Sequence, residues 1–432
     1  MPAATAIHFF LALAVILAAC RLAAMVAQRV GQPPVVGEMI AGVVLGPSLL
    51  GRIAPGVQQD LFPPGTSNVV LYTTAQIGLV LYMFVVGLNF DVNHVRQRAG
   101  TAVAVSTAGT VAPLVLGAAV AVPLLADGRY FGDGVTVVMA MMFLGAAIAI
   151  TAFPMLARII FEKGLAGTSL GTLALACGAI GDAVSWCILA TVVAMHKGSP
   201  ATAVTTIVGG VLYAVFVLTV GRRAGRALAD RSGDGPAVSG PALSTVLIFL
   251  MLCAWFTDTI GIHAIFGAFI LGAALPSGAF AQRLTTTIEP LTTRLLLPLF
   301  FVYSGLNTEI GLVNTPGLWA VTLGLIVVAI AGKGVACAVA ARLSKVPLRE
   351  SVALGSLMNA RGLIELILLN IGLEAGIITP TLFTILVLVA IVTTLMASPL
   401  FEYACGRQEP RMNGARSGTS KISTIDSGGG TA

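Results

Sequence analysis

The residues with the most chemistry to offer are a few charged side chains lodged inside long apolar runs: Asp182, Lys333, Arg361 and Glu365, with Glu38 nearer the end of its run. A charge at the centre of a bilayer is costly, and an ionisable group found there is read first as part of an ion or proton path. Asp182 is the one deep aspartate. A single desolvated carboxylate holds one proton or one monovalent cation, not both, which is the chemistry of exchange rather than of bond breaking. Oxygen ligands for a cation at Asp182 would come from the Thr151 hydroxyl, from carbonyls released near Pro154, and from Ser185 on the same helix as the aspartate. Lys333, Arg361 and Glu365 supply the balancing charges.

Two interruptions accompany these charges. Pro154 follows Thr151 at the end of an apolar run, removing a backbone donor and freeing a carbonyl. Asn359, Ala360, Arg361 and Gly362 break a second run with polar and glycine residues. Interrupted helices in corresponding parts of two halves point to a site built from half-helix ends.

The elements that hold these residues are membrane helices. Of the 432 residues, 57% are hydrophobic and 10% charged, against about 25% charged in soluble domains. A spanning helix needs about 20 apolar residues. Thirteen windows qualify: 5–24, 34–51, 69–89, 101–124, 135–154, 168–195, 200–220, 241–258, 262–277, 293–313, 317–342, 348–373 and 380–402. With the N-terminus outside, nineteen Lys and Arg fall on the inner loops and tail. Only Arg52, Arg129 and Lys197 fall outside, and Lys333 and Arg361 lie within spans. That asymmetry follows the preference of basic residues for cytoplasmic loops. At 1.5 Å per residue, Asp182 sits about 21 Å into its window and Lys333 about 15 Å from the inner end of its own, so both approach the bilayer midplane.

Other classes fit poorly. The net charge of +6 is dispersed over many loops instead of forming a nucleic-acid face. An intramembrane aspartyl protease needs two deep aspartates, and no H-E-x-x-H, G-x-S-x-G or P-loop pattern occurs. The six cysteines form no C-x-x-C pair, and the four histidines show no metal spacing, His263 reading as structural. No enzyme activity and no cofactor are expected. The stretch from Gly406, rich in Gly, Ser, Thr and Arg, reads as disordered and too short for a nucleotide-binding regulatory domain.

Seven segments in order, Gly31–Gly51, Leu81–Asn89, Thr151–Pro154, Gly181–Trp186, Gly261–Phe269, Leu297–Gly305 and Met358–Glu365, resemble the monovalent cation:proton antiporter-2 family, particularly its Kef-type and plant cation/H+-exchanger branches. The resemblance implies an all-α polytopic membrane protein with the sodium/proton-antiporter fold, inverted repeats and two crossing broken helices. It implies a homodimer in the plasma membrane that exchanges Na+ or K+ for H+ by alternating access. A core domain would comprise 101–195 and 317–403, a dimerisation domain 1–100 and 241–316, with 196–240 as linker and 404–432 as a cytoplasmic tail. Asp182 falls on the family's ion-binding aspartate, Lys333 on the basic residue before the second broken helix, and Arg361 and Glu365 within that helix. Gly181 departs from the Asp or Asn that relatives usually place there. With one aspartate left, exchange is expected to be electroneutral, Lys333 acting either as a fixed charge paired with Glu365 or as a desolvated group that still shuttles a proton. A cation channel without proton coupling and an organic-anion carrier of the same fold are the alternatives.

The charge asymmetry makes a direct prediction: reporter fusions should place the stretch after Gly406 in the cytoplasm and the Arg129 loop outside, and a cytoplasmic signal from the Arg129 loop would overturn the orientation.

Overall fold

The computed structural model describes residues 2–63, 66–90, 98–197, 200–232, 235, 237–306, 313–361 and 363–405. Every one of the thirteen windows contains helix. In order they are α1 (Pro2–Arg29), α2 (Pro34–Leu45), α3 (Thr66–Leu88), α4 (Ala99–Asp127), α5a (Val137–Ala149) with α5b (Phe153–Glu162), and α6 (Ser169–Lys197). Next come α7 (Pro200–Phe216), α8 (Gly240–Thr259), α9 (Ala264–Ala274) and α10 (Leu297–Leu306). The last are α11 (Pro316–Leu343, with a π-helical turn at Ile330–Val335), α12a (Leu348–Met358) with α12b (Leu363–Glu374), and α13 (Pro380–Cys405). Among the described residues, nine stretches are long and apolar enough to cross a membrane. The windows of α6, α9, α10 and α12 complete the thirteen.

Three windows end or begin in the wrong place, for one reason. The fifth stops at 154, yet the chain resumes as α5b to Glu162. The seventh stops at 220, yet a π-helical turn, Val217–Gly221, carries α7 into the helix Arg222–Arg231. The tenth starts at 293, yet the helix Ala279–Leu291 and the π-helical turn Thr292–Leu296 lead into α10. Each extension carries polar or charged residues, and hydropathy reads these as loop even where the structure buries and pairs them. Likewise α13 runs to Cys405, into the stretch assigned to the tail.

The helices pack in two sets. In one, α1 lies on α2, α2 on α10, α3 on α9 and α10, and α8 on α9. The α3–α9 contact is backbone to backbone: a Cβ on Gly272 would stand 2.9 Å from Leu88 N and one on Gly87 2.9 Å from Ala273 N. Such close approach is how membrane helices associate, since lipid offers no hydrophobic drive. In the other set, α4 packs on α5a, α6 and α11, and α12a on α11 and α13. Small side chains permit this too: Cys177 Sγ and Cys337 Sγ lie 3.8 and 3.7 Å from the Ala102 and Val105 carbonyls of α4. At one end, the loop after α4 and the loop after α12b are clipped together by Gly132 N to Ile377 O at 3.1 Å and Thr379 N to Tyr130 O at 3.0 Å. The sets meet where α2 and α3 reach α5b, where α10 reaches α12b, and at the Phe153–Phe269 ring pair, 4.9 Å between centroids.

Candidate ion site

Helix α5a cannot pass through Pro154. Its last residues turn extended at Ile150 (φ −61°, ψ 136°), and α5b restarts with Pro154 in its first turn, where a missing N–H does no harm. Helix α12 breaks after Met358, and Asn359, Ala360 and Arg361 leave the helix. Gly362, the glycine expected in that break, lies outside the described residues. The two breaks touch, Ala152 N donating to Ala360 O at 3.1 Å. Thr394 of α13 supports the second break from the side: its hydroxyl accepts from Arg361 N at 2.9 Å and lies 3.0 Å from Arg361 O.

A broken helix leaves carbonyls without partners and a partial negative charge at its C-terminal end. Here both are answered by cations from the other half of the chain. Arg361 donates to Ala147 O at 2.9 Å and to Ile148 O at 2.6 Å, and Lys333 Nζ donates to Ala149 O. Arg361 and Lys333 are fully buried. Arg361 also pairs with Glu365 at 3.1 Å, one turn on and fully buried. Glu365 stands in the first turn of α12b, where an acid suits the positive helix end. The expected Lys333–Glu365 pair is therefore replaced by Arg361–Glu365, because Lys333 is turned onto the end of α5a. Lys333 remains within the electrostatic reach of Asp182, Glu365 and Arg361.

Asp182 is buried in α6 beside the first break. Gly181 faces Thr151 so closely that a Cβ there would be 3.8 Å from Thr151 Oγ1. Below it, Gly178 lets α6 lie on α5b, where a Cβ would come 2.6 Å from Leu156 and 3.1 Å from Phe153. Thr151 Oγ1 is buried with no hydrogen-bond partner among the described residues, so both its lone pairs are available. Ser185 donates to Gly181 O at 2.7 Å, which leaves its oxygen an acceptor one turn from Asp182. Asn359 donates to Gly355 O at 3.2 Å, its side chain resting against Gly334 of α11. His263 lies away from this cluster, capping α9 through Nδ1, which accepts from Ile265 N at 3.5 Å.

A second charged cluster went unread in the sequence. Arg158 of α5b, assigned to an inner loop, is 14% exposed at its side chain; it pairs with Glu162 at 2.5 Å and with Glu38 of α2 at 3.6 Å. Glu162 in turn accepts from Val35 N at 3.2 Å. The i,i+4 spacing of Arg158 and Glu162 was the available signal.

Two broken helices crossing over buried cations, inside a bundle of apolar helices, define a membrane transporter architecture. The solved structure of the sodium proton antiporter MjNhaP1 from Methanocaldococcus jannaschii superposes with a TM-score of 0.63 at 17% identity, covering 93% of this chain and 97% of that one. The chain belongs to the sodium/hydrogen exchanger family, whose transmembrane model matches residues 12–403. It is 42% identical to the Na(+)/H(+) antiporter NhaS4 of Synechocystis over 89% of this chain and 94% of that protein. It is 36% identical to Cation/H(+) antiporter 17 of Arabidopsis thaliana over 90% of this chain. It spans about half of that plant relative, 47% of its length.

The cation-capped helix end predicts an order of stabilities. Arg361→Met removes one buried ion pair and two carbonyl caps, and should cost about 3–5 kcal/mol. Glu365→Gln keeps a hydrogen-bond acceptor for Arg361 and should cost less. Thermal unfolding of the purified proteins checks this; Glu365→Gln melting below Arg361→Met would contradict it.

Proposed function

We propose that this chain exchanges Na+ or K+ for H+ by alternating access, with Asp182 carrying the proton and the cation in turn. The observation that carries the reading is a buried aspartate beside the crossing of two broken helices, where the C-terminal carbonyls of α5a are held by Arg361 and Lys333. Those cations neutralise the helix end, and Asp182 stands within the electrostatic reach of Lys333. Thr151 and Ser185 offer oxygens on the same side. A dehydrated monovalent cation binds at Asp182, Thr151 Oγ1, Ser185 Oγ and carbonyls near Pro154; a proton takes its place on the carboxylate for the return. The relatives support coupled exchange over a channel or an organic-anion carrier, since their names specify Na(+)/H(+) and cation/H(+) antiport.

The moving core in this reading is α4–α6 with α11–α13, and α1–α3 with α8–α10 form the dimerising scaffold, α7 linking them. The packing of α3 on α9 through glycine supports a rigid scaffold, and the crossed breaks support a core that moves as one body. The chain works as a homodimer in the plasma membrane, N-terminus outside and tail in the cytoplasm, as its charge asymmetry supports.

Exchange is one for one and electroneutral, because Gly181 leaves Asp182 without a neighbouring carboxylate. A Cβ at 181 meets no clash: the nearest atom is Thr151 Oγ1 at ordinary contact distance.

Two measurements in proteoliposomes test this. Asp182→Asn should insert and fold yet abolish cation-driven proton movement with Na+ or K+; full exchange by this variant would sink the role of Asp182. An imposed membrane potential should leave the rate of the parent unchanged, and Gly181→Asp, which adds a second carboxylate at the site, should make it voltage-dependent. A strongly voltage-dependent parent would show that exchange is not electroneutral.

A further inference from the structure

The Glu38–Arg158–Glu162 cluster lies far along α5b from the crossing, and nothing in the exchange chemistry uses it. Its two sides belong to different bodies. Glu38 follows Gly37, whose hydrogen faces the backbone of α1 so tightly that a Cβ would stand 2.5 Å from Ala23 O, so Glu38 cannot shift independently of α1 and α2. Arg158 and Glu162 sit on α5b, which is seated against α6 at Gly178. The contact between them is charged and largely dry: the Glu38, Arg158 and Glu162 side chains are 8%, 14% and 11% exposed. Glu162 adds a main-chain contact at Val35 N, and Gln32 Nε2 donates to Leu395 O of α13 at 3.3 Å, so three polar contacts cross at the same end. Next to them the boundary is different in kind. Between α2 and α13 lies an apolar cavity of about 200 Å³, bordered by Val36, Val43, Ile391 and Leu395. Loose apolar surfaces slide at little cost, whereas a desolvated ion pair holds one geometry and releases only if it is broken or rehydrated.

We infer that Glu38, Arg158 and Glu162 form a releasable latch between α2 and α5b that holds this end of the core–scaffold boundary closed. The latch rests on the alternating-access reading: a core that moves against the scaffold must part Glu38 from Arg158 in every cycle, so the pair sets how long this end stays shut. Glu162 keeps Arg158 neutralised after Glu38 leaves, since it is on the same helix, which makes the opening reversible.

The test uses the full chain with its six native cysteines replaced and exchange retained, carrying Gln32→Cys and Leu395→Cys across the latched boundary. Oxidative cross-linking in membranes reports how often this end is closed. Losing the cross-boundary ion pair, with Glu162 still neutralising Arg158, should lower the closed-to-open ratio by about tenfold or more. Glu38→Gln should therefore slow cross-linking by about threefold or more. The charge swap Glu38→Arg with Arg158→Glu, which keeps a cross-boundary pair, should return the rate to within about twofold of the parent. A parent-like rate in Glu38→Gln, or no recovery in the swap although both variants are folded and membrane-inserted, would overturn the latch. Undiminished exchange by the cross-linked parent would instead overturn alternating access.

Discussion

Backbone carbonyls that end inside a bilayer have no water to turn to, and each one left bare costs several kcal/mol. Helix α5a ends this way, and the rest of the core is arranged around that problem. The last carbonyls of α5a take Arg361 and Lys333 as partners, and both cations come from the opposite half of the chain. Arg361 can reach them only because α12 is itself broken at Asn359–Arg361, and that break is held by Thr394 and by the Ala152–Ala360 bond. Each interruption is thus stable because the other exists. Glu365 then balances Arg361 at 3.1 Å.

This mutual dependence explains what could be read in the sequence and what could not. Pro154 and the Asn359–Gly362 run announced the breaks, since they fail as helix by local chemistry alone. The apolar helices were legible for a related reason: lipid demands apolar length. Partners were not legible. Nothing near Lys333 in the chain says that it meets Ala149, 184 positions away, instead of Glu365. Arg158 misled in the opposite direction, because a charge in a short amphipathic half-helix looks like a loop until Glu38 is brought across to it.

The structure uses two kinds of helix contact, and they divide the labour. Glycine contacts such as Gly87 against Gly272 bring backbones together over atoms that cannot rearrange, and they knit each body internally. Between the two sets, the contacts include an aromatic pair, a charged cluster, a hydrogen bond from Gln32 to the Leu395 carbonyl and an apolar cavity. The first kind resists motion in every direction; the second has separable parts. That distribution fits the alternating access proposed above.

Lys333 lies in a π-helical turn, Ile330–Val335, within α11. Such a turn holds more residues than an α-helical one and takes up the extra residue between two α-helical stretches. The facing of α11 onto α4 and α12a therefore depends on the number of residues as well as on their kinds. Removing a residue from this turn lets it close as an α-helical turn and re-aims the side chains inside it, Lys333 among them. For this stretch, length is a more stringent requirement than composition, and a gap of one position carries more consequence than most substitutions within it.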